Sequence, residues 1–368
     1  MKNPLDRLTI RGFKSIRELE DFELKDLNVF VGANGSGKSN LISFFKMLHS
    51  LVEGSLAEYI RWNGGVSDLL YNGRKVTQQM EFETRFGARG YRFTIKPGPG
   101  EGYTLSDEAR YYDSARTGWW NLGDSIDGTS RLVKEAKGKT RDSKYSEPVY
   151  NAINSWKIYH FHDTSPMAPL RNAEIIEDNR SLRSAASNIG PFLLRLRSEF
   201  PSHYDEIVNA CKLVAPYFDD FQLIPQQFGP KTKVALSWKA KGTDYPMQPY
   251  HLSDGSIRFI CLATALLQPD PPSTIIIDEP ELGLHPEAIQ LLAELIDDAA
   301  KRTQIIVATQ SPLLLDQFSI EDIIVTNRKD GQSTFERLKH EDFTEWLKDY
   351  SVGELWTKNV IQGGTNHE

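Results

Sequence analysis

The sequence predicts an α/β fold: a mixed central sheet with flanking helices, an antiparallel β subdomain and a helical subdomain. Three features predict it. The apolar run Leu27–Val31 passes through a glycine-rich turn into a segment with helical spacing. A second apolar run, Ser273–Ile277, ends in Asp278-Glu279, and a parallel strand buried on both faces reads as such a run. From residue 251 onward, helix-like and strand-like segments alternate with short connections.

Taken in order, Leu8, Ile10 and Phe13 mark a first strand before a polar turn, and Leu27–Val31 a later one. A helix is expected from Asn40 to Val52, because Leu41, Phe44, Phe45 and Leu48 recur at helical spacing. Residues 76–95 alternate as strands do, around a Gly87–Gly90 hairpin turn. Residues 97–148 are polar. They read as short strands at Tyr103–Leu105 and Ala109–Tyr112 and then a mobile insertion. A buried strand is expected at 156–162 and helices over 172–215, with Pro191, Pro201 and Pro216 bounding the pieces. Strand-like patterns return over 219–249. The expected division is 1–96 with 149–170 as an N-terminal lobe, 97–148 as a polar insertion, 171–225 as a helical subdomain, 226–340 as a C-terminal lobe, and 341–368 as a tail. There is no internal repeat and no heptad run, so no coiled-coil arm is expected.

Length and composition set outer limits. At about 150 residues per domain, 368 residues make two or three domains or one composite. With 39% hydrophobic and 25% charged residues, the chain is neither disordered nor collagenous. A net charge of −7 does not favour nucleic acid over the whole surface, although a local basic face is compatible with it. The only cysteines, Cys211 and Cys261, form no CxxC, which excludes a zinc knuckle and points to a reducing compartment. Phe259–Leu267 is far short of the roughly 20 apolar residues of a spanning helix. The N-terminus shows no signal-peptide pattern, so a cytoplasmic location and no membrane partner are expected.

Gly32-Ala33-Asn34-Gly35-Ser36-Gly37-Lys38-Ser39 fits G-x-x-x-x-G-K-[ST] between a strand and a helix, the context this motif requires. Glycines let backbone N–H groups curl around a phosphate, and the helix N-terminus adds partial positive charge. Lys38 reaches the β- and γ-phosphates, and the Ser39 hydroxyl ligates Mg²⁺. Asn34, Gly35, Ser36, Gly37, Lys38, Ser39 and Asn40 are therefore the candidate ATP contacts. At the end of the second apolar run, Asp278 is the candidate Mg²⁺ ligand and Glu279 the general base that polarises the attacking water.

Leu252-Ser253-Asp254-Gly255-Ser256 resembles the L-S-G-G-Q signature of ABC-type ATPases, with Asp and Ser at two positions. Taken alone it also reads as a plain helix N-cap. Ile10-Arg11-Gly12-Phe13-Lys14-Ser15 resembles the opening of SMC- and RecF-type heads. Asp278-Glu279-Pro280-Glu281-Leu282-Gly283-Leu284-His285-Pro286 resembles their joined Walker B and D-loop, and Ala308–Pro312 their switch segment. Together these motifs resemble an ABC-type ATPase head of the SMC, RecF and OLD-like class. The likeness covers 5–55 and 250–318 and is weak between them.

That resemblance implies an ABC-type P-loop ATPase head that uses ATP and Mg²⁺. It implies a homo-oligomer in which Ser253, Asp254 and Gly255 of one head contact the γ-phosphate held by another. It also implies roles in DNA repair or anti-phage defence, with DNA or a separate effector, such as a Toprim nuclease, as partner. The residues after Pro312 are too few for a Toprim domain of about 100 residues, so nuclease activity in cis is not expected. Gln310 stands where many relatives carry His. An amide donates to a phosphate oxygen but carries no proton, so slow hydrolysis is expected. A weakly hydrolysing ATP-gated scaffold is the alternative. The RecF-like opening argues against a transporter subunit.

Two weaker features keep two readings each. His160 and His162 fall on one face of a strand, as a metal pair with Asp163 or as hydrogen-bonded structural histidines. Tyr111, Tyr112, Trp119 and Trp120 with Arg116, Lys134, Lys137, Lys139 and Arg141 suit a single-stranded nucleic acid or protein partner, or a solvated insertion.

Overall fold

The computed structural model describes residues 3–113, 118–125 and 128–361. The chain opens with β1 (Arg7–Phe13), β2 (Ile16–Glu23) and β3 (Leu27–Val31), then α1 (Lys38–Glu53), α2 (Leu56–Trp62) and α3 (Val66–Leu69). Next come β4 (Met80–Phe86), β5 (Arg89–Pro97), β6 (Tyr103–Tyr112), β7 (Gly118–Ser125), α4 (Arg131–Lys137), α5 (Ser143–Ser155) and β8 (Lys157–Tyr159). The middle holds β9 (Glu174–Ile175), α6 (Ile189–Glu199), α7 (Pro201–Val214), β10 (Phe218–Phe221), β11 (Gln226–Phe228), β12 (Lys231–Val234) and β13 (Trp238–Ala240). The last third runs α8 (Asp254–Leu267), β14 (Thr274–Asp278), α9 (Pro286–Ala300), β15 (Gln304–Thr309), α10 (Pro312–Leu315), β16 (Ile323–Lys329) and β17 (Gln332–Arg337). It closes with α11 (His340–Phe343) and α12 (Val352–Thr357).

Two six-stranded sheets carry the architecture. The central one has the order β17-β16-β3-β15-β14-β8, parallel except for the β16–β17 hairpin. Its strands are apolar on both faces because both faces are covered. Leu27, Val29, Val31, Ile275, Ile277, Ile305 and Val307 point into one core with helices α6 to α9. Phe30, Ile276, Ile306 and Ala308 point into the other. That second core is closed by α1, α5 and the inner face of the antiparallel sheet, ordered β2-β1-β4-β5-β6-β7.

Two readings of the sequence need correction in their secondary structure. The segment 97–148 is not merely a polar insertion. It supplies β6 and β7, which extend the antiparallel sheet, and α4 and α5, which pack on it. Its polar residues include a buried carboxylate, Glu108. This accepts hydrogen bonds from the Tyr91 and Ser130 hydroxyls and from the first amides of α4, Arg131 N and Leu132 N. Residues 172–188 are not helical. Apart from β9 they are loop, and the buried Asn188 side chain holds 178–188 in it, donating to the Asp178 and Ser181 carbonyls and accepting from Arg183 N. Helix α8 begins at Asp254, within the signature segment. Residues 362–368 of the expected tail lie outside the described residues. Among the described residues, no helix is long and apolar enough to cross a membrane.

Candidate nucleotide site

The loop from β3 to α1 is shaped by backbone that only glycine fits well. Gly37 has φ +123°, and a Cβ there would lie 2.0 Å from Ser333 Oγ. A Cβ on Gly32 would lie 2.3 Å from the Thr326 carbonyl oxygen. Ser15 and Ser333 buttress the loop. Their hydroxyls lie 2.6 Å apart, Ser333 Oγ donates to the Ser36 carbonyl, and Asn40 Nδ2 donates to Ser15 Oγ at 2.6 Å.

Inside the loop, Lys38 is buried and its ammonium donates to the carbonyls of Gly32 and Ala33. Burial pushes this ammonium below the ordinary lysine range, against the raising field of Glu279, Asp278 and Glu281. Among the described residues the buried Ser36 hydroxyl has no hydrogen-bond partner. A buried cation, an unpaired hydroxyl and a helix N-terminus meet in one cradle, which fits an anion. Asn34, Gly35 and Ser39 are exposed at its rim.

Strand β14 delivers the carboxylates beside it. The Asp278 carboxyl is raised above its usual range by burial, partly opposed by His162, Lys46 and Lys38. Glu279 has φ +44°, a left-handed conformation that is strained for a side chain of this kind. Its N–H donates to the Ala308 carbonyl at 2.7 Å. Gln310, just past β15, donates through Nε2 to Glu279 Oε1 at 2.6 Å and to Asn34 Oδ1 at 2.8 Å. One amide thus joins the Walker B carboxylate, the switch and the phosphate loop.

The signature stands elsewhere. Ser253 Oγ caps α8 by accepting from Ser256 N at 3.1 Å, so the cap reading holds as local structure. Ser256 Oγ lies 3.1 Å from the Tyr217 hydroxyl, and Asp254 pairs with Arg171 at 2.9 Å. A Cβ on Gly255 would lie 2.4 Å from the Gly283 carbonyl, so the helix start rests on the D-loop. Among the described residues, no hydrogen bond joins Ser253, Asp254 or Gly255 to the phosphate loop.

Residues 27–316 match the AAA_21 family, described as "AAA domain, putative AbiEii toxin, Type IV TA system". The chain belongs to this family. Solved structures share its fold. A crystal structure of the SMC head bound to the C-winged helix domain of ScpA has a TM-score of 0.58 at 18% identity, covering 93% of this chain and 99% of the other. The SMC head with an extended coiled coil bound to the C-terminal domain of ScpA, from Pyrococcus furiosus, has a TM-score of 0.55 at 18% identity, covering 94% and 99%. The SMC head with a coiled coil and joint from Pyrococcus yayanosii has a TM-score of 0.51 at 14% identity, covering 94% and 99%. No curated protein matches the chain. The fold is therefore that of an ABC-type, SMC-like P-loop ATPase head, a nucleotide-binding architecture.

In this AAA-domain protein the histidine pair takes the hydrogen-bonded reading. His162 Nε2 is 2.8 Å from the Asp278 carbonyl oxygen and His160 Nε2 is 2.8 Å from Lys46 Nζ, while Asp163 accepts from Ser165 N at 3.0 Å. Burial, with Lys46 and His162 adding to it, pushes His160 down to about 4. Among the described residues no group of three or more His, Cys, Asp or Glu is placed to hold a metal ion. The aromatic pairs split across the sheet. Tyr111 and Trp119 meet at a tilt of 60° with Arg85 3.7 Å above Tyr111, whereas Tyr112 contacts Tyr145 and Trp120 lies near Arg110. Arg116 lies outside the described residues.

Three residues at the AAA-domain site carry no sequence signal strong enough to find them. Ser333 is remote in sequence. Glu281 accepts from Thr309 Oγ1 at 2.5 Å. Arg258, buried on α8, donates to the carbonyls of Phe161 at 2.9 Å, His162 at 3.2 Å and Leu282.

Proposed function

We propose that this protein is an ATP-binding and ATP-hydrolysing switch whose heads dimerise around nucleotide. The observation that carries the reading is the Gln310 amide bridging Glu279 and Asn34. It supports a hydrolytic centre at the γ-phosphate end of the loop. Loop amides, the α1 N-terminus and Lys38 would hold the phosphates. The Ser39 hydroxyl and the Asp278 carboxylate are hard oxygen donors of the kind Mg²⁺ takes, and the ion when bound supplies charge neutralisation at the phosphate oxygens. Glu279 accepts the proton of the attacking water, and ADP and phosphate result.

Beside the expected role of Gln310 as a donor to a phosphate oxygen, its two bonds to Glu279 and Asn34 support a second one, in which its side-chain oxygen accepts a hydrogen bond from the water. The same bond favours a second reading, an ATP-gated scaffold that hydrolyses little, because at 2.6 Å it occupies the base. Single-turnover hydrolysis separates the two.

The output is proposed as control of DNA or of a separate effector protein, such as a Toprim nuclease, in DNA repair or anti-phage defence. The family description, a toxin of a toxin–antitoxin system, and the partner domain bound to the similar SMC head support a partnered role. Ser253, Asp254 and Gly255, standing apart from their own phosphate loop, support a site completed by a second copy. A mixing experiment tests it. Lys38→Ala protein and Ser253→Arg protein, each inactive alone, should regain ATPase activity when combined, because the mixed dimer holds one complete site. Mixed dimers without activity would refute the shared site.

A further inference from the structure

Glu281 takes no part in the chemistry described above, yet it sits under it. It follows Pro280 in the turn after β14. Its Oε1 accepts two hydrogen bonds, from Thr309 Oγ1 at 2.5 Å and from Gln310 N at 3.3 Å. Its Oε2 is buried and has no partner among the described residues. Thr309 is fully buried and its hydroxyl oxygen accepts in turn from Ser311 N at 3.0 Å. The carboxylate therefore grips both sides of the peptide from which the Gln310 side chain departs. On the other flank, the carbonyl of the next residue, Leu282, is held by Arg258 of the signature helix.

We infer that Glu281 is a positioning residue that sets the Gln310 amide against Glu279 and Asn34 and ties the switch to the D-loop. This deepens the hydrolytic reading and rests on it. Glu281 touches neither phosphate nor water. It acts by fixing where the switch backbone begins, and a misplacement of about 1 Å at such a site costs about a hundredfold in rate. Burial raises its carboxyl above the usual range, opposed by the Thr309 and Gln310 bonds, so the group is retained at a cost to the folded state.

The test is steady-state hydrolysis at saturating Mg-ATP beside binding of a fluorescent ATP analogue. Glu281→Ala should lower kcat at least tenfold while analogue affinity stays within threefold of wild type. Glu281→Gln keeps an acceptor for both bonds and should recover most of the rate. Thr309→Val keeps the shape but removes the bond to Glu281 together with the one from Ser311 N. It should lower kcat by itself and combine with Glu281→Ala less than additively, since the two share one contact. Wild-type kcat in Glu281→Ala, parallel loss of kcat and affinity, or a Glu281→Gln as slow as Glu281→Ala would each overturn the inference while hydrolysis by the wild type stands. If Glu281→Ala does not fold, a Thr309→Val with unchanged kcat overturns it. A wild type that binds the analogue but never hydrolyses ATP overturns the hydrolytic reading itself, and this inference with it.

Discussion

The proposed Mg²⁺ role of Asp278 sets its value in the bound protein against its cost in the free one. Its carboxyl is raised by burial, so the folded state binds its proton more tightly than the unfolded chain does. Such a group favours folding at low pH, and that contribution is lost as pH rises through the raised value, leaving a cost at neutral pH. Asp278→Asn should therefore raise the melting temperature of the nucleotide-free protein at pH 7 while removing Mg²⁺-dependent turnover. A lower melting temperature would contradict this. His160 works in the opposite direction. Held near 4 by burial, Lys46 and His162, it stays neutral in the folded state while the unfolded chain takes up a proton below about 6.5. Stability is lost as pH falls from about 6.5 towards 4. His160→Gln should shrink the drop in melting temperature between pH 7.5 and pH 5.

The elements around the site differ in how readily they are read from sequence. β3 with its loop, and β14 with its carboxylates, are short unbroken patterns whose meaning is local. The β6–β7 hairpin is harder, because most of its residues are partly buried or exposed and its buried Glu108 looks like a surface residue until α4 caps onto it. Residues 172–188 have apolar spacing but lack helical hydrogen bonds, because Asn188 supplies competing ones. Ser333 and Glu281 become visible only once β17 and β15 are in place. The loop itself yields a graded prediction. Gly35 has φ +80° in open space, whereas Gly37 has φ +123° and a close neighbour. Gly37→Ala should cost about 2 kcal/mol or more in urea unfolding, combining strain with crowding, and Gly35→Ala about 1 kcal/mol from strain alone.

The whole molecule is held by contacts that reach across the chain. Gln304, fully buried at the start of β15, donates to the carbonyls of Leu5 and Lys25 and accepts from Leu5 N and from the Thr274 hydroxyl. The Leu5 contact spans 299 positions. Gln304→Leu strands three buried polar groups, the Leu5 N–H and carbonyl and the Thr274 hydroxyl, while the Lys25 carbonyl keeps Asn28, and should destabilise the fold by about 3 kcal/mol or more, read as a shift of the urea midpoint. The strand order carries this further. β3, which ends in the phosphate loop, pairs on one side with β15 and on the other with β16, both from the last third of the chain. During synthesis β3 leaves the ribosome early and must wait unpaired for partners translated long afterwards. A nascent chain stalled before residue 304 therefore has a complete phosphate-loop sequence but no sheet to hold it. The loop becomes a nucleotide site only once β15 and β16 have been made, and until then the nascent chain is blind to nucleotide.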